Sequence, residues 1–174
     1  SSGDVYPEPG DTDNVYVNPD RAAQRALDYV KQGFTAVKFD PAGPYTIFDG
    51  GMPTGQELDR SEKFTRRIRE AVGSDVDLLF GTHGQFSPSG AIRLAKRLEP
   101  YDPLWFEEPT PPENTAAMAR VARATSIPVA TGERLCTKYE FARVLEDGAA
   151  SILQLNLGRV GGLLEAKKIA ALAE

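Results

Sequence analysis

Residues 76–83, Val-Asp-Leu-Leu-Phe-Gly-Thr-His, lead into Ser87-Pro88-Ser89-Gly90-Ala91-Ile92-Arg93-Leu94-Ala95-Lys96-Arg97-Leu98 and then into Leu104-Trp105-Phe106-Glu107-Glu108. An apolar run of strand length, an amphipathic segment of helix length and a second apolar run form one strand–helix–strand unit. Ser87 is a suitable cap and Pro88 suits the first helical position. Ile92, Ala95 and Leu98 then recur on one face, which is the face that must be covered.

The same unit extends in both directions. Upstream, Asn18 and Pro19 open a helix to about Gln32, with Ala22, Ala26 and Val30 as its apolar stripe and Gly33 at its end. The run Phe34 to Phe39 reads as a buried strand ended by Asp40-Pro41. A second helix starts near Thr54, where Glu57 completes a capping box, buries Leu58, Ile68 and Val72, and stops at Gly73. Downstream, a helix of about Glu113 to Ala124 leads to a strand Ile127 to Ala130. Thr137 and Glu140 form another capping box before a helix ending at Gly148 and a strand Ser151 to Leu155. A last helix runs from about Leu163 to Ala173. Alternation of this kind predicts an α/β fold built of right-handed βαβ units on a parallel sheet.

Length and composition narrow the function classes. The chain has 174 residues, short of the ~250 residues of a closed eight-fold β/α barrel. Its net charge of −5 argues against non-specific nucleic-acid binding. No apolar run approaches a membrane span, and the N-terminal residues show no signal-peptide pattern. The single cysteine, Cys136, excludes an intrachain disulfide and a Cys-rich zinc site, and fits a cytoplasmic location. Residues 1–18, rich in Pro, Gly and Asp, read as an N-terminal loop.

Functional groups of parallel β/α folds sit at the carboxyl ends of strands. Reading past each apolar run gives Asp40, then Gly81-Thr82-His83, then Glu107-Glu108, Gly132-Glu133 and Asn156. Gly81, Glu107, Glu133 and Asn156 are spaced by 26, 26 and 23 residues, the regularity of a βα repeat. Glu107 and Glu133 would project into one mouth from adjacent strands. Their repulsion is relieved either by a hard divalent cation, Mg²⁺ in particular, or by pairing with Lys or Arg, for which Arg134 is the local candidate. His83 is placed for proton transfer at neutral pH or for a structural role. Lys38, inside a strand, either holds a substrate carboxylate or reaches outward between helices. The amides at Gly161-Gly162 either bind an anion or pack a helix start.

Four stretches carry a family resemblance: Phe34-Thr35-Ala36-Val37-Lys38, Trp105-Phe106-Glu107-Glu108-Pro109, Gly132-Glu133 and Gly158-Arg159-Val160-Gly161-Gly162. From about residue 19 onward the chain resembles the enolase superfamily, within it the mandelate racemase and muconate lactonising group. Leu98-Glu99-Pro100-Tyr101 with the downstream Glu-Glu-Pro is most similar to the acid-sugar dehydratases of the galactonate and mannonate type. The resemblance implies a partial TIM (β/α)8-type barrel over residues 19–174, with five βα units equivalent to barrel strands 2–6. The N-terminal capping domain and the last barrel strands would be absent.

The resemblance also implies a chemistry. A proton next to a carboxylate is abstracted, Mg²⁺ stabilises the enediolate, and a general acid expels a hydroxyl. Glu107 and Glu133 are similar to the second and third metal ligands, His83 to the leaving-group acid, and Lys38 to the first lysine of the Lys-x-Lys strand. Asp40, Arg134 and Asn156 are assigned to substrate binding, the substrate being a small-molecule carboxylate, a sugar acid. Three positions depart from the pattern. Gly81 stands where the family has its first metal-ligating aspartate, so water or an outside acid would have to fill that place. Asp40 replaces the second lysine. Asn156 replaces the aspartate that supports a catalytic histidine. The expected activity is that of a Mg²⁺-dependent acid-sugar dehydratase, homo-oligomeric when full length, without nucleic-acid or membrane partners. A racemase or epimerase of the same superfamily, and a non-catalytic sugar-acid- or partner-binding homologue, are the alternatives.

Overall fold

A computed structural model describes residues 14–42 and 51–174. The expected loop at 1–18 therefore lies outside the described residues except at its last positions. There, Asn14 Oδ1 accepts from Tyr16 N at 2.9 Å.

Among the described residues, six α-helices and five strands alternate. They are α1 (Pro19–Lys31), β1 (Ala36–Phe39), α2 (Gly55–Val72), β2 (Asp77–Gly81), α3 (Pro88–Leu98), β3 (Trp105–Glu107), α4 (Thr115–Ala122), β4 (Val129–Thr131), α5 (Lys138–Glu146), β5 (Ile152–Leu153) and α6 (Leu163–Ala173). The helix starts follow the sequence signals. Asn18 Oδ1 accepts from Asp20 N and Arg21 N, both capping boxes form, and Ser87 Oγ accepts from Gly90 N at 3.2 Å.

The strands lie in chain order, β1-β2-β3-β4-β5, and every neighbouring pair is parallel. With α2, α3, α4 and α5 each connecting one strand to the next, this is the partial β/α barrel. The strand ends differ from the expectation in both directions, since β5 stops at Leu153, two residues short of the expected Leu155. β2, β3 and β4 continue through Gly81, Glu107 and Thr131, one residue beyond the apolar runs. The ladder goes on pairing after hydrophobicity stops, because the residues at the mouth are polar or small for another reason. At the other end β1 starts late. Phe34 is 57% exposed and stacks edge-on against Tyr29.

Strand pleating sorts the side chains. Val37, Leu78, Phe80 and Phe106 join Leu58, Ile68, Leu94 and Leu98 in the core beneath α2 and α3. Val129, Met118, Phe141, Val144 and Ile169 form a second cluster beneath the later helices. The register places Lys38 beside Leu79, Leu79 beside Trp105, and Gly81 beside Glu107. Lys38, Gly81 and Glu107 thus share the opposite face of the sheet.

Candidate functional site

The carboxyl ends of β1, β2 and β3 bring four of the expected residues together. Lys38 Nζ lies 2.5 Å from Glu107 Oε2. The lysine side chain is 40% exposed, whereas that of Glu107 is 3% exposed. One residue past the end of β1, Asp40 Oδ2 lies 3.6 Å from His83 Nδ1, an ion-pair contact rather than a hydrogen bond. Asp40 Oδ1 accepts from Ala42 N at 2.8 Å and Oδ2 from Gln85 Nε2 at 3.3 Å. Burial pushes the Asp40 carboxyl above its ordinary range, against the pull of His83. The Asp40 carboxylate in turn raises His83, so the imidazolium is favoured. A cavity of about 140 Å³ opens beside Gln85, lined also by Ala42, Met52, Arg60 and Phe86.

Gly81 has the most informative local geometry. A Cβ built there would stand 2.9 Å from Lys38 Cε and 3.6 Å from Lys38 Nζ. The lysine stem thus lies across the space that a side chain at position 81 would take.

The turn after β2 is fixed from below. Thr82 N donates to Glu107 O at 3.1 Å, and Gly84 N to Glu108 O at 2.6 Å. Thr82 Oγ1 lies 2.9 Å from Glu107 O and 3.0 Å from Glu108 O, a donor shared between two carbonyls. His83 (φ 56°) and Glu108 (φ 43°) both occupy the left-handed region, which is costly for residues with a Cβ. Two strained residues on adjacent strand ends, held by a buried hydrogen-bond set, are what aims the His83 ring toward Asp40.

Arg134 does not enter the mouth as a partner of Glu107. Its Nε donates to Glu108 Oε2 at 2.9 Å and its Nη2 to His83 O at 3.3 Å. Gly84 makes this approach possible, because a Cβ there would lie 2.5 Å from Arg134 Nη2 and 3.1 Å from Pro111 Cα. Glu108, which the sequence reading left without a role, is fully buried. Burial raises its carboxyl pKa and Arg134 opposes the rise. Its signal was available: in Glu107-Glu108, period-two alternation sends only one carboxylate to the mouth, and the other needs an internal cation.

Glu133 follows Gly132, whose φ of 135° and whose contact with Phe141, 2.7 Å from a built Cβ, leave no space for a side chain. Glu133 lies near enough to His83 and Glu108 to raise both electrostatically. Asn156 is exposed and turned to its own loop, with Oδ1 accepting from Gly158 N at 3.0 Å and Arg159 N at 3.2 Å. Helix α6 has Gly162 at its cap position and so no side-chain cap.

Comparison with known proteins bears on this arrangement. A solved chain from Labrenzia alexandrii DFL-11 is 71% identical and superposes with a TM-score of 0.89, covering 97% of this chain and 42% of that one. A mandelate racemase/muconate lactonizing enzyme-like protein from Roseovarius sp. TM1035 is 59% identical with a TM-score of 0.89, over 97% of this chain and 43% of its own. A D-gluconate dehydratase from Thermoproteus tenax is 38% identical over 157 residues, 90% of this chain and 31% of the relative. A D-gluconate/D-galactonate dehydratase from Picrophilus torridus is 38% identical over 158 residues, 91% of this chain and 39% of the relative. The chain thus spans about 31–39% of the length of these two curated relatives. The family profile described as Enolase C-terminal domain-like matches residues 21–174, so the chain belongs to the enolase C-terminal domain-like family.

Proposed function

We propose that the protein containing this chain is a sugar-acid dehydratase, which removes the proton next to a carboxylate and expels a neighbouring hydroxyl as water. The pair His83–Asp40 at the strand ends, 3.6 Å apart, carries the reading. The relatives named as dehydratases of D-gluconate and D-galactonate support it. Dehydration needs an acid aimed at a leaving hydroxyl. An imidazolium favoured by a buried carboxylate supplies one near neutral pH. As the C–O bond breaks, His83 donates its proton to the departing oxygen, and the electrons of the α C–H bond form the new C=C bond of the enol. The base that takes the α-proton is assigned to no residue of this chain. Asp40, engaged with His83, Gln85 and Ala42, is not free to act as the second base of a racemase.

The Lys38 ammonium carries three N–H donors on a side chain that is 40% exposed, and in this reading it takes the substrate carboxylate. Mg²⁺ is the cation implied for sites of this superfamily. The residues present do not fit the complete ligand set. Glu107 is paired with Lys38, and position 81 has no side chain. Among the described residues, no group of three or more His, Cys, Asp or Glu side chains comes together to hold a metal ion. None of the helices, among the described residues, is long and apolar enough to cross a membrane. A sugar acid as the small-molecule partner, a homo-oligomer, a cytoplasmic location and no nucleic-acid partner complete the proposal.

The test is to incubate the full-length protein with D-gluconate, D-galactonate and D-xylonate and assay the 2-keto-3-deoxy product. Loss of about 10²–10⁴ in rate with His83→Asn is expected. Absence of product from every sugar acid, or inversion at the α-carbon without loss of water, overturns the reading.

A further inference from the structure

We infer that the Lys38 ammonium is the resident cation of this site, occupying by its side chain the place where a divalent ion would otherwise balance Glu107. Three observations carry this. Glu107 is almost wholly buried at the end of β3 and its Oε2 meets Lys38 Nζ at 2.5 Å. Gly81, the register neighbour of Glu107, contributes no third carboxylate. A Cβ at that position would press on Lys38 Cε at 2.9 Å, so the lysine stem runs through the volume an aspartate would need. The missing carboxylate and the lysine that fills its space are therefore one feature. A buried carboxylate requires a partner. An ammonium already within ion-pair distance supplies the charge and repels a second cation brought into the same pocket.

The consequence concerns ligand binding. The ammonium keeps donors for a second anionic oxygen, so a carboxylate ligand is bound through Lys38 without a divalent metal. The identity of that ligand rests on the sugar-acid reading above, whereas the cation assignment does not.

The experiment uses the full-length protein after chelation with EDTA. Mn²⁺ is titrated alone, followed by electron paramagnetic resonance, with Mg²⁺ calorimetry in parallel. No saturable binding up to millimolar metal is expected for the wild type. The double variant Gly81→Asp/Lys38→Met restores a carboxylate and removes the ammonium. Position 81 has an ordinary φ, and only the end of the lysine side chain obstructs it. This variant is expected to bind metal at least about tenfold more tightly than the wild type. Sub-millimolar binding to the wild type that Glu107→Gln abolishes overturns the inference. So does a folded double variant, with an unchanged circular-dichroism spectrum, that gains no affinity. D-Gluconate is then titrated into the metal-free wild type and Lys38→Met, with binding expected only in the wild type. If no sugar acid binds with or without Mg²⁺, the dehydratase reading fails and the metal titration still decides the cation.

Discussion

Arg134 Nε donates to Glu108 Oε2 at 2.9 Å, and the carboxylate it meets is completely shielded from water. The same guanidinium reaches the carbonyl of His83 at 3.3 Å. One cation thus neutralises a buried acid on β3 and holds the strained turn after β2. Arg134→Met leaves Glu108 buried and unpaired. A loss of about 3 kcal/mol in unfolding free energy at neutral pH is expected, measured by urea denaturation. The loss should shrink as the pH is lowered, since a protonated Glu108 needs no cation and burial already raises its pKa. A loss independent of pH would show that Arg134 acts only through packing.

The strand–helix repeat was legible because each helix start carries its own chemistry: Asn18, Thr54, Ser87 and Thr137 cap where the sequence placed them. For Lys38, inside a strand, the sequence left both directions open, whereas Asp40 and Glu107 were legible as mouth residues because each directly follows an apolar run, and His83 because its turn follows one. Their pairing was not. The sequence reading offered Arg134 to Glu107 and Glu133, but left-handed backbone at Glu108 and close approach at Gly84 send it elsewhere. Nor does a list of strand-end residues reveal that Lys38 lies over Gly81, because that depends on the length of one side chain across two strands. Asn156, which the family resemblance assigns to substrate binding, has its side-chain carbonyl oxygen committed to the backbone of its own turn.

Asp40→Asn should lower the pH at which His83 titrates, because the carboxylate is the main influence raising it. The sign follows from linkage. A histidine raised above its ordinary value of 6.5 contributes stability below that value and loses it as the pH rises through the folded-state pKa. The stability difference between wild type and Asp40→Asn should therefore be larger at pH 6 than at pH 8, through lost imidazolium pairing. Histidine ring NMR on wild type and variant checks the shift directly. An unchanged His83 titration would mean that the 3.6 Å contact has no electrostatic consequence.

Glu99 gives a pH dependence far from the site. Its Oε1 accepts from Ser126 N at 2.9 Å and Thr125 Oγ1 at 2.8 Å, with Lys96 Nζ at 3.0 Å. These hold its carboxyl down to about 2, the Ser126 amide contributing most. A depressed acid stabilises the fold above its unfolded value of 4.5 and loses that contribution as the pH falls toward 2. Glu99→Gln should cost about 1 kcal/mol at pH 7, modest because the network is near the surface. The two proteins should converge in stability toward pH 2. Parallel acid-denaturation curves would exclude the network as the cause.

The late edge of the sheet predicts how the isolated 174-residue polypeptide behaves. β5 has two residues and pairs with β4, and α6 beyond it displays Leu163 and Leu164 at 74% and 73% exposure, with Leu157 and Leu172 also exposed. A parallel edge that, among the described residues, pairs on one side only, together with these exposed leucines, favours association, because strand groups and apolar surface both gain from a second molecule. Light scattering after size exclusion should find the isolated polypeptide self-associated at micromolar concentration. Leu163→Lys/Leu164→Lys should reduce that association while leaving the helical circular-dichroism signal intact, since Ile169 is the α6 residue buried in the core. A monodisperse monomer for the unsubstituted polypeptide would contradict the expectation and show that the five-stranded sheet closes its own edges in solution.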